Sequence, residues 1–218
     1  MKESWQNLSE LITNPSATFA RLKFNPKWVL TFVVFCLLSL GIGGAVAPFT
    51  RQLLTSDPAP NETLSVVPVM MMALVWAVLW CVVLSVLLTV AARIFKIDRA
   101  VKFKHIYAAI VYTSLIRSLI FLVNMGILPI FKRVEDVEAA IDTRVLRGLH
   151  MLAGSIENTN LLLFLSHVNV LSIWYIFVLT VAISVLTRIN RMKTCFAAAF
   201  VWLLRAGIEV VFTAMFLS

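Results

Sequence analysis

Five apolar runs, each long enough to cross a bilayer, constrain this chain more than any other feature. They lie at 28–47, 66–94, 105–130, 168–186 and 194–217. A hydrocarbon core of ~30 Å needs about twenty helical residues at ~1.5 Å each. Trp28 to Ala47 supplies that length without a charge, and the second run is uncharged as far as Arg93. The chain is 61% hydrophobic and 14% charged, against ~45–50% apolar in a soluble domain. Too little polar surface remains to cover a water-soluble core. The expected fold is all-α, a polytopic membrane bundle of five transmembrane helices. Residues 1–27 form a cytosolic amphipathic segment and residues 28–218 the five-span membrane domain.

The basic residues orient this bundle. Formal net charge is +8, but the charges gather at the ends of the apolar runs. Place the N-terminus inside. Lys2, Arg21, Lys23, Lys27, the five basic residues from Arg93 to Lys104, and Arg188, Arg191 and Lys193 then lie inside, twelve of nineteen. Arg51, Lys132, Arg133, Arg144 and Arg147 lie outside. The positive-inside rule therefore gives a cytosolic N-terminus and an outside C-terminus. In a soluble protein such a charge would raise nucleic acid as a partner. Here it reads as membrane topology, no nucleic-acid motif accompanies it, and the lipid bilayer is the first partner.

Ahead of the first run, Trp5, Leu8, Leu11 and Ile12 share one helical face. Asn14-Pro15 breaks that helix, and Pro15 opens a second one carrying Phe19 and Leu22 beside Arg21 and Lys23. An N-terminal interfacial helix is expected. Trp5, Phe19, Arg21 and Lys23 would meet the membrane surface through apolar contact and attraction to anionic lipid. Packing of this face on the inner end of the bundle is the open alternative. The first apolar run starts only at Trp28, so a cleavable leader is not expected. Gly41, Gly43 and Gly44 should allow close helix approach, and Pro48 should end the first span. In the 131–167 connection, Val134, Val137, Ile141, Val145, Leu146 and Leu149 recur at helical spacing. They predict an amphipathic helix of about four turns on the outer surface.

Three charges lie deep within the runs: Arg117, Arg205 and Glu209. A charge at membrane depth is costly and marks a candidate site. Arg205 and Glu209, four apart, share a helix face and can pair. In the derived topology the third and fifth spans run in the same direction. Counting ~1.5 Å per residue puts Arg117 and Arg205 both roughly 16–18 Å from the inner boundary. Asn124 joins Arg117 on its face. Two arginines and one carboxylate leave a net positive site. One reading is a buried ion pair that fixes span packing, with Ser114, Asn124, Thr180 or backbone carbonyls satisfying the second arginine. The other is a pocket for an anionic group, such as a lipid phosphate or a partner helix's carboxylate. A proton relay suits arginine poorly, because it stays protonated.

Catalytic and cofactor chemistry is not expected. Phosphate-binding glycine loops, zinc-protease and nucleophile-elbow motifs are missing from the sequence. Cys36, Cys81 and Cys195, and His105, His150 and His167, lack metal-ligand spacing.

Several stretches resemble a known family. Asn14-Pro15-Ser16-Ala17-Thr18-Phe19 with Pro26-Lys27-Trp28, then Ile106-Tyr107-Ala108-Ala109-Ile110-Val111-Tyr112-Thr113-Ser114, are similar to the entry segment and third span of the bacterial branch of the Yip-domain membrane proteins. Ser172-Ile173-Trp174-Tyr175-Ile176 and the Arg188-to-Trp202 stretch resemble its last two spans. The resemblance implies a five-span protein of the bacterial cytoplasmic membrane. It also implies a non-catalytic role in binding or organising other integral membrane proteins, as an accessory subunit of an export complex such as an ABC exporter, with homo-oligomers open. The alternative is a lipid-handling or small-solute transport protein that uses Arg117, Arg205 and Glu209.

Overall fold

The computed structural model describes residues 2–54, 66–94, 102–131, 133, 148–152 and 158–216. The helices are α1 (Lys2–Thr13), α2 (Pro15–Phe24), α3 (Val29–Leu54), α4 (Val66–Ile94), α5 (Phe103–Phe131), α6 (Thr159–Ser166), α7 (Val170–Thr187) and α8 (Arg191–Phe216). A 3-10 turn, Leu149–Leu152, precedes α6. Helices α3, α4, α5, α7 and α8 are each long and apolar enough to cross a membrane. Each overlaps one of the five apolar runs.

Helix α5 is the centre. It packs against α3, α4, α7 and α2, and its turns from Ala108 to Ile116 are buried all round. Alanine, serine and threonine among those residues let neighbours approach, while Ile110, Val111 and Tyr112 fill the space between. Helix α7 supplies the facing layer through Tyr175 and Val178 to Ala182. By contrast α4 and α8 leave most of their large apolar side chains exposed, as lipid-facing helices do.

The tightest approach joins α3 to α4. A Cβ on Gly43 would sit 2.7 Å from the Met70 Cα and 3.0 Å from the Ala73 Cβ. Gly44 meets only the Met70 side chain, and Gly41 meets nothing within 4 Å. Of the three glycines, Gly43 alone therefore requires its missing side chain. Gly43→Ala is expected to destabilise the bundle by about 1–3 kcal/mol through overpacking. Melting of the detergent-solubilised protein would register this, and an unchanged midpoint would show that the two helices can part freely.

Pro48 lies inside α3, which continues to Leu54, so the span does not stop at the proline. Proline removes one intrahelical bond, the one to the Gly44 carbonyl. Unwinding in hydrocarbon would instead strand several backbone groups, each at a cost of several kcal/mol. Continuing the helix is the smaller loss.

The N-terminal helices form a hairpin docked on the bundle. The Asn14 side chain accepts from the Ala17 N–H at 3.2 Å, and Pro15 takes the first turn of α2. Arg21 donates to Glu10 at 2.5 Å and to Asn7 at 2.8 Å, tying α2 to α1. Helix α2 packs on α7 and α5, and Phe19 and Leu22 are fully buried. Phe19 therefore belongs to the core rather than to the membrane surface. Packing against the bundle buries the whole ring, which a headgroup layer could do only in part. Lys23 reaches the Val185 carbonyl of α7 at 3.4 Å, while Trp5 is 57% exposed.

Hydrogen bonds from Gln6 and Arg21 hold the Glu10 carboxyl below its usual range. A carboxyl lowered in the folded state adds stability above its unfolded pKa of ~4.3, and loses it as pH falls through the folded value. The α1–α2 junction should therefore resist protease at neutral pH and loosen progressively below about pH 4. In Glu10→Gln that pH dependence should vanish, and a persistent acid step would assign it to another group.

Helix α6 was not expected within the 131–167 connection. The Asn158 side chain accepts from the Leu161 N–H at 3.1 Å and starts it. Asn169 joins it to α7, accepting from the Ser172 N–H at 2.9 Å and donating to the Ser166 carbonyl at 3.1 Å. Of the amphipathic helix expected in this connection, residues 134–147 lie outside the described residues.

Candidate functional site

Three helices bring polar and aromatic groups to one level. Arg117 is fourteen residues beyond Phe103, the first of α5, and Arg205 is fourteen beyond Arg191, the first of α8. Trp80 is fourteen residues before Ile94, the last of α4. These three helix ends lie towards the α1–α2 hairpin, so all three side chains sit ~21 Å along their helices from it. Were those helix ends at the bilayer boundary, this level would lie deep within a core of ~30 Å.

At this level Arg117 of α5 forms an ion pair with Glu209 of α8. Each side chain is 16% exposed. The Arg117 guanidinium also lies over the Phe121 ring, 5.0 Å from its centroid. Arg205 is more buried, at 8% exposure. Its guanidinium lies over the Trp80 ring at 5.1 Å, and its Nε has no hydrogen-bond partner among the described residues. The carboxylate thus bridges to the neighbouring helix, and the second arginine rests on an aromatic face. Thr180, a proposed partner for that arginine, bonds the Ile176 carbonyl of its own helix at 2.8 Å. Ser114, another, accepts from the Cys81 thiol at 3.4 Å.

Helix α8 runs along α7 and touches α6, but it does not pack along α4 or α5. Long side chains cross that gap: Arg117 to Glu209, Arg205 to Trp80, and Trp76 to Phe212, whose rings are 5.2 Å apart. Two hollows flank the crossing. One, of about 50 Å³, is lined by buried polar groups including Asn124, Ser166, Ser172 and Tyr175. The other, of about 530 Å³, is walled mainly by apolar side chains of α3, α4 and α8. Arg117, Phe121, Arg205 and Glu209 line both.

Of the intramembrane residues singled out from sequence, Arg117, Arg205 and Glu209 come together, and Asn124 lines the small hollow beside them. Trp80 and the α6–α7 corner at Ser166, His167 and Asn169 were not foreseen. Trp80 could have been found by counting residues from the basic end of its span. Nothing in the local sequence marks the corner. Chemically, the arrangement can hold charge. Among the described residues, no three His, Cys, Asp or Glu side chains gather to hold a metal.

A family model, the Yip1 domain, matches residues 9–212. The chain belongs to the Yip1-domain family. No curated protein and no solved structure matches it. The matched stretch contains all five candidate spans but for the last three residues of α8's apolar window. It also contains Trp80, Arg117, Arg205 and Glu209, so the site lies inside the Yip1 domain and not in an appendage to it. Membership and the five apolar helices identify a multi-pass membrane protein.

Proposed function

We propose that this Yip1-domain protein is a non-catalytic binding protein whose Arg117, Arg205 and Glu209 site takes an anionic group at membrane depth. One observation carries the reading: Arg205 lines the site at 8% exposure, and its buried Nε has no hydrogen-bond partner among the described residues. A buried donor on a charged group left unpaired is costly. The cation–π contact with Trp80 offsets part of the cost but supplies no acceptor for that N–H. An oxyanion at the guanidinium edge would supply one.

The test is what co-purifies. Wild-type protein extracted in a neutral detergent should carry an anionic small molecule, visible in the mass spectrum of an organic extract. Arg205→Gln should carry several-fold less, while still running as a folded species. Equal anion content in the two would sink the reading.

A second reading, organisation of other membrane proteins in an export complex, draws on α8. That helix presents Phe196, Phe200, Leu203, Ile208, Val211 and Met215 outward from a bundle it joins mainly along α7. Loss of a co-purifying membrane protein on Phe200→Ser, with anion content unchanged, would favour it.

The proposed setting is a bacterial cytoplasmic membrane with the N-terminus inside. Lys23, Lys27, Lys104, Arg188 and Lys193 then face the cytosol together. A reporter fused after Ser218 should be active only outside the cytosol, and cytosolic activity would reverse the topology.

A further inference from the structure

We infer that the 530 Å³ hollow between α8 and the α3–α4–α5 group holds the hydrocarbon chain of a monoanionic amphiphile, whose headgroup sits on Arg205 and Arg117. This rests on the reading above and adds the class of ligand.

Three observations carry it. The first is location. Every residue lining the hollow lies within a membrane-spanning segment. Its α4 rim includes Met71, Met72 and Val75, which are 49%, 55% and 61% exposed. An opening at that depth faces lipid, so its occupant arrives from the bilayer and not from water. The second is polarity. Away from the charged crossing the wall is mainly apolar, interrupted by small hydroxyl residues such as Ser39, Ser118 and Thr213, and the volume lies within the ~300–1,000 Å³ of small-molecule sites. A free anion would leave nearly all of that wall uncovered, whereas an alkyl chain would fill it. The third is charge. Arg117 and Arg205 against Glu209 leave one positive charge, which one monoanionic headgroup neutralises. A zwitterion would bring an ammonium as well, and the carboxylate that lines the hollow, Glu209, is already paired with Arg117. A phosphodiester lipid and a fatty acid both satisfy these terms, and their shared chemistry is a single oxyanion on a hydrocarbon chain.

The headgroup and the chain make separable demands. Arg205→Gln removes the unpaired donor and leaves the hollow open. Val46→Phe places a ring into the hollow from α3 and leaves the charges in place. Neither residue belongs to the apolar cluster at the bundle centre.

The experiment is native mass spectrometry of the purified full chain after delipidation in a neutral detergent. Dioleoyl phosphatidylglycerol, dioleoyl phosphatidylcholine, oleate and methyl phosphate are added separately. Wild type is expected to retain one phosphatidylglycerol or one oleate per chain, with a preference over phosphatidylcholine of about tenfold or more, the scale of one charged hydrogen bond. Whether phosphatidylglycerol or oleate binds more tightly identifies the source of the oxyanion. Arg205→Gln should erase the preference, and Arg205→Lys should keep most of it. Val46→Phe should weaken retention of both chain-bearing anions at an unchanged melting midpoint. If Arg205→Gln does not fold, the lysine variant and Val46→Phe still decide. Methyl phosphate bound as tightly as oleate would overturn the amphiphile and leave the anion site standing. Equal retention of phosphatidylcholine and phosphatidylglycerol by wild type would overturn both.

Discussion

Glu209→Gln is expected to destabilise the bundle by about 3–5 kcal/mol, the usual loss when one partner of a buried ion pair is removed. The substitution preserves shape but leaves two arginines at one depth, with Arg117 deprived of its carboxylate. The site then carries two positive charges where it carried one. Arg117→Leu should be milder, at about 1–2 kcal/mol, for a reason specific to this fold. Arg205 sits four residues before Glu209 on α8, so the stranded carboxylate has a second arginine on its own helix face. The two substitutions therefore separate a bridge between helices from a pair within one. Melting of both variants and of the double variant Arg117→Leu/Glu209→Leu would test this. The double variant should recover most of the loss, because an apolar pair of similar volume is often no worse than a buried ion pair. If Glu209→Gln and Arg117→Leu cost the same, Arg205 does not stand in for Arg117. If neither costs anything, the bridge does not hold α8 to α5.

The parts of this architecture that follow from counting were legible in the sequence. Length and hydropathy define the five spans, because a bilayer of fixed thickness leaves few ways to bury so much apolar surface. A constant rise per residue then places Arg117 and Arg205 at one level without any knowledge of packing. What depends on side-chain reach and helix rotation was not legible. The spacing of Arg205 and Glu209 favours a pair along one helix, yet the carboxylate crosses to Arg117 because α8 stands away from α5 and a long side chain can span the gap. The resting place of Arg205 on Trp80 required knowing that α4 turns that ring inward. Pro48 misleads because rules learned in water make a proline a stop, whereas in hydrocarbon breaking a helix costs more than one missing bond. Helix α6 is too short to stand out by periodicity, and only Asn158, which caps its start, marks it.

The second large effect concerns the hairpin formed by α1 and α2. Phe19 is fully buried, and truncating such a side chain to alanine costs about 3–5 kcal/mol. The question is which equilibrium bears that cost. The five spans also meet one another directly, through α5 and the close α3–α4 contact, whereas Phe19 joins that core from α2. The hairpin is held by Phe19 and Leu22 in the core, by Lys23 on the Val185 carbonyl, and by Tyr112, whose hydroxyl donates to the Lys27 carbonyl at 3.1 Å. Phe19→Ala should therefore release the hairpin as a unit and leave the spans assembled, since local opening follows local contact density. Hydrogen exchange over residues 2–24 should accelerate by two orders of magnitude or more, as about 3 kcal/mol implies, while exchange within α5 stays slow. Phe24, 85% exposed on the same helix, is the control, and Phe24→Ala should change neither. If Phe19→Ala also accelerates exchange in α5, the hairpin would be part of the bundle's cooperative core. The basic residues at the inner end would then be fixed by folding rather than by contact with the membrane. If it accelerates neither, the burial of Phe19 contributes little, and α2 would be held by Lys23 and the chain connection to α3.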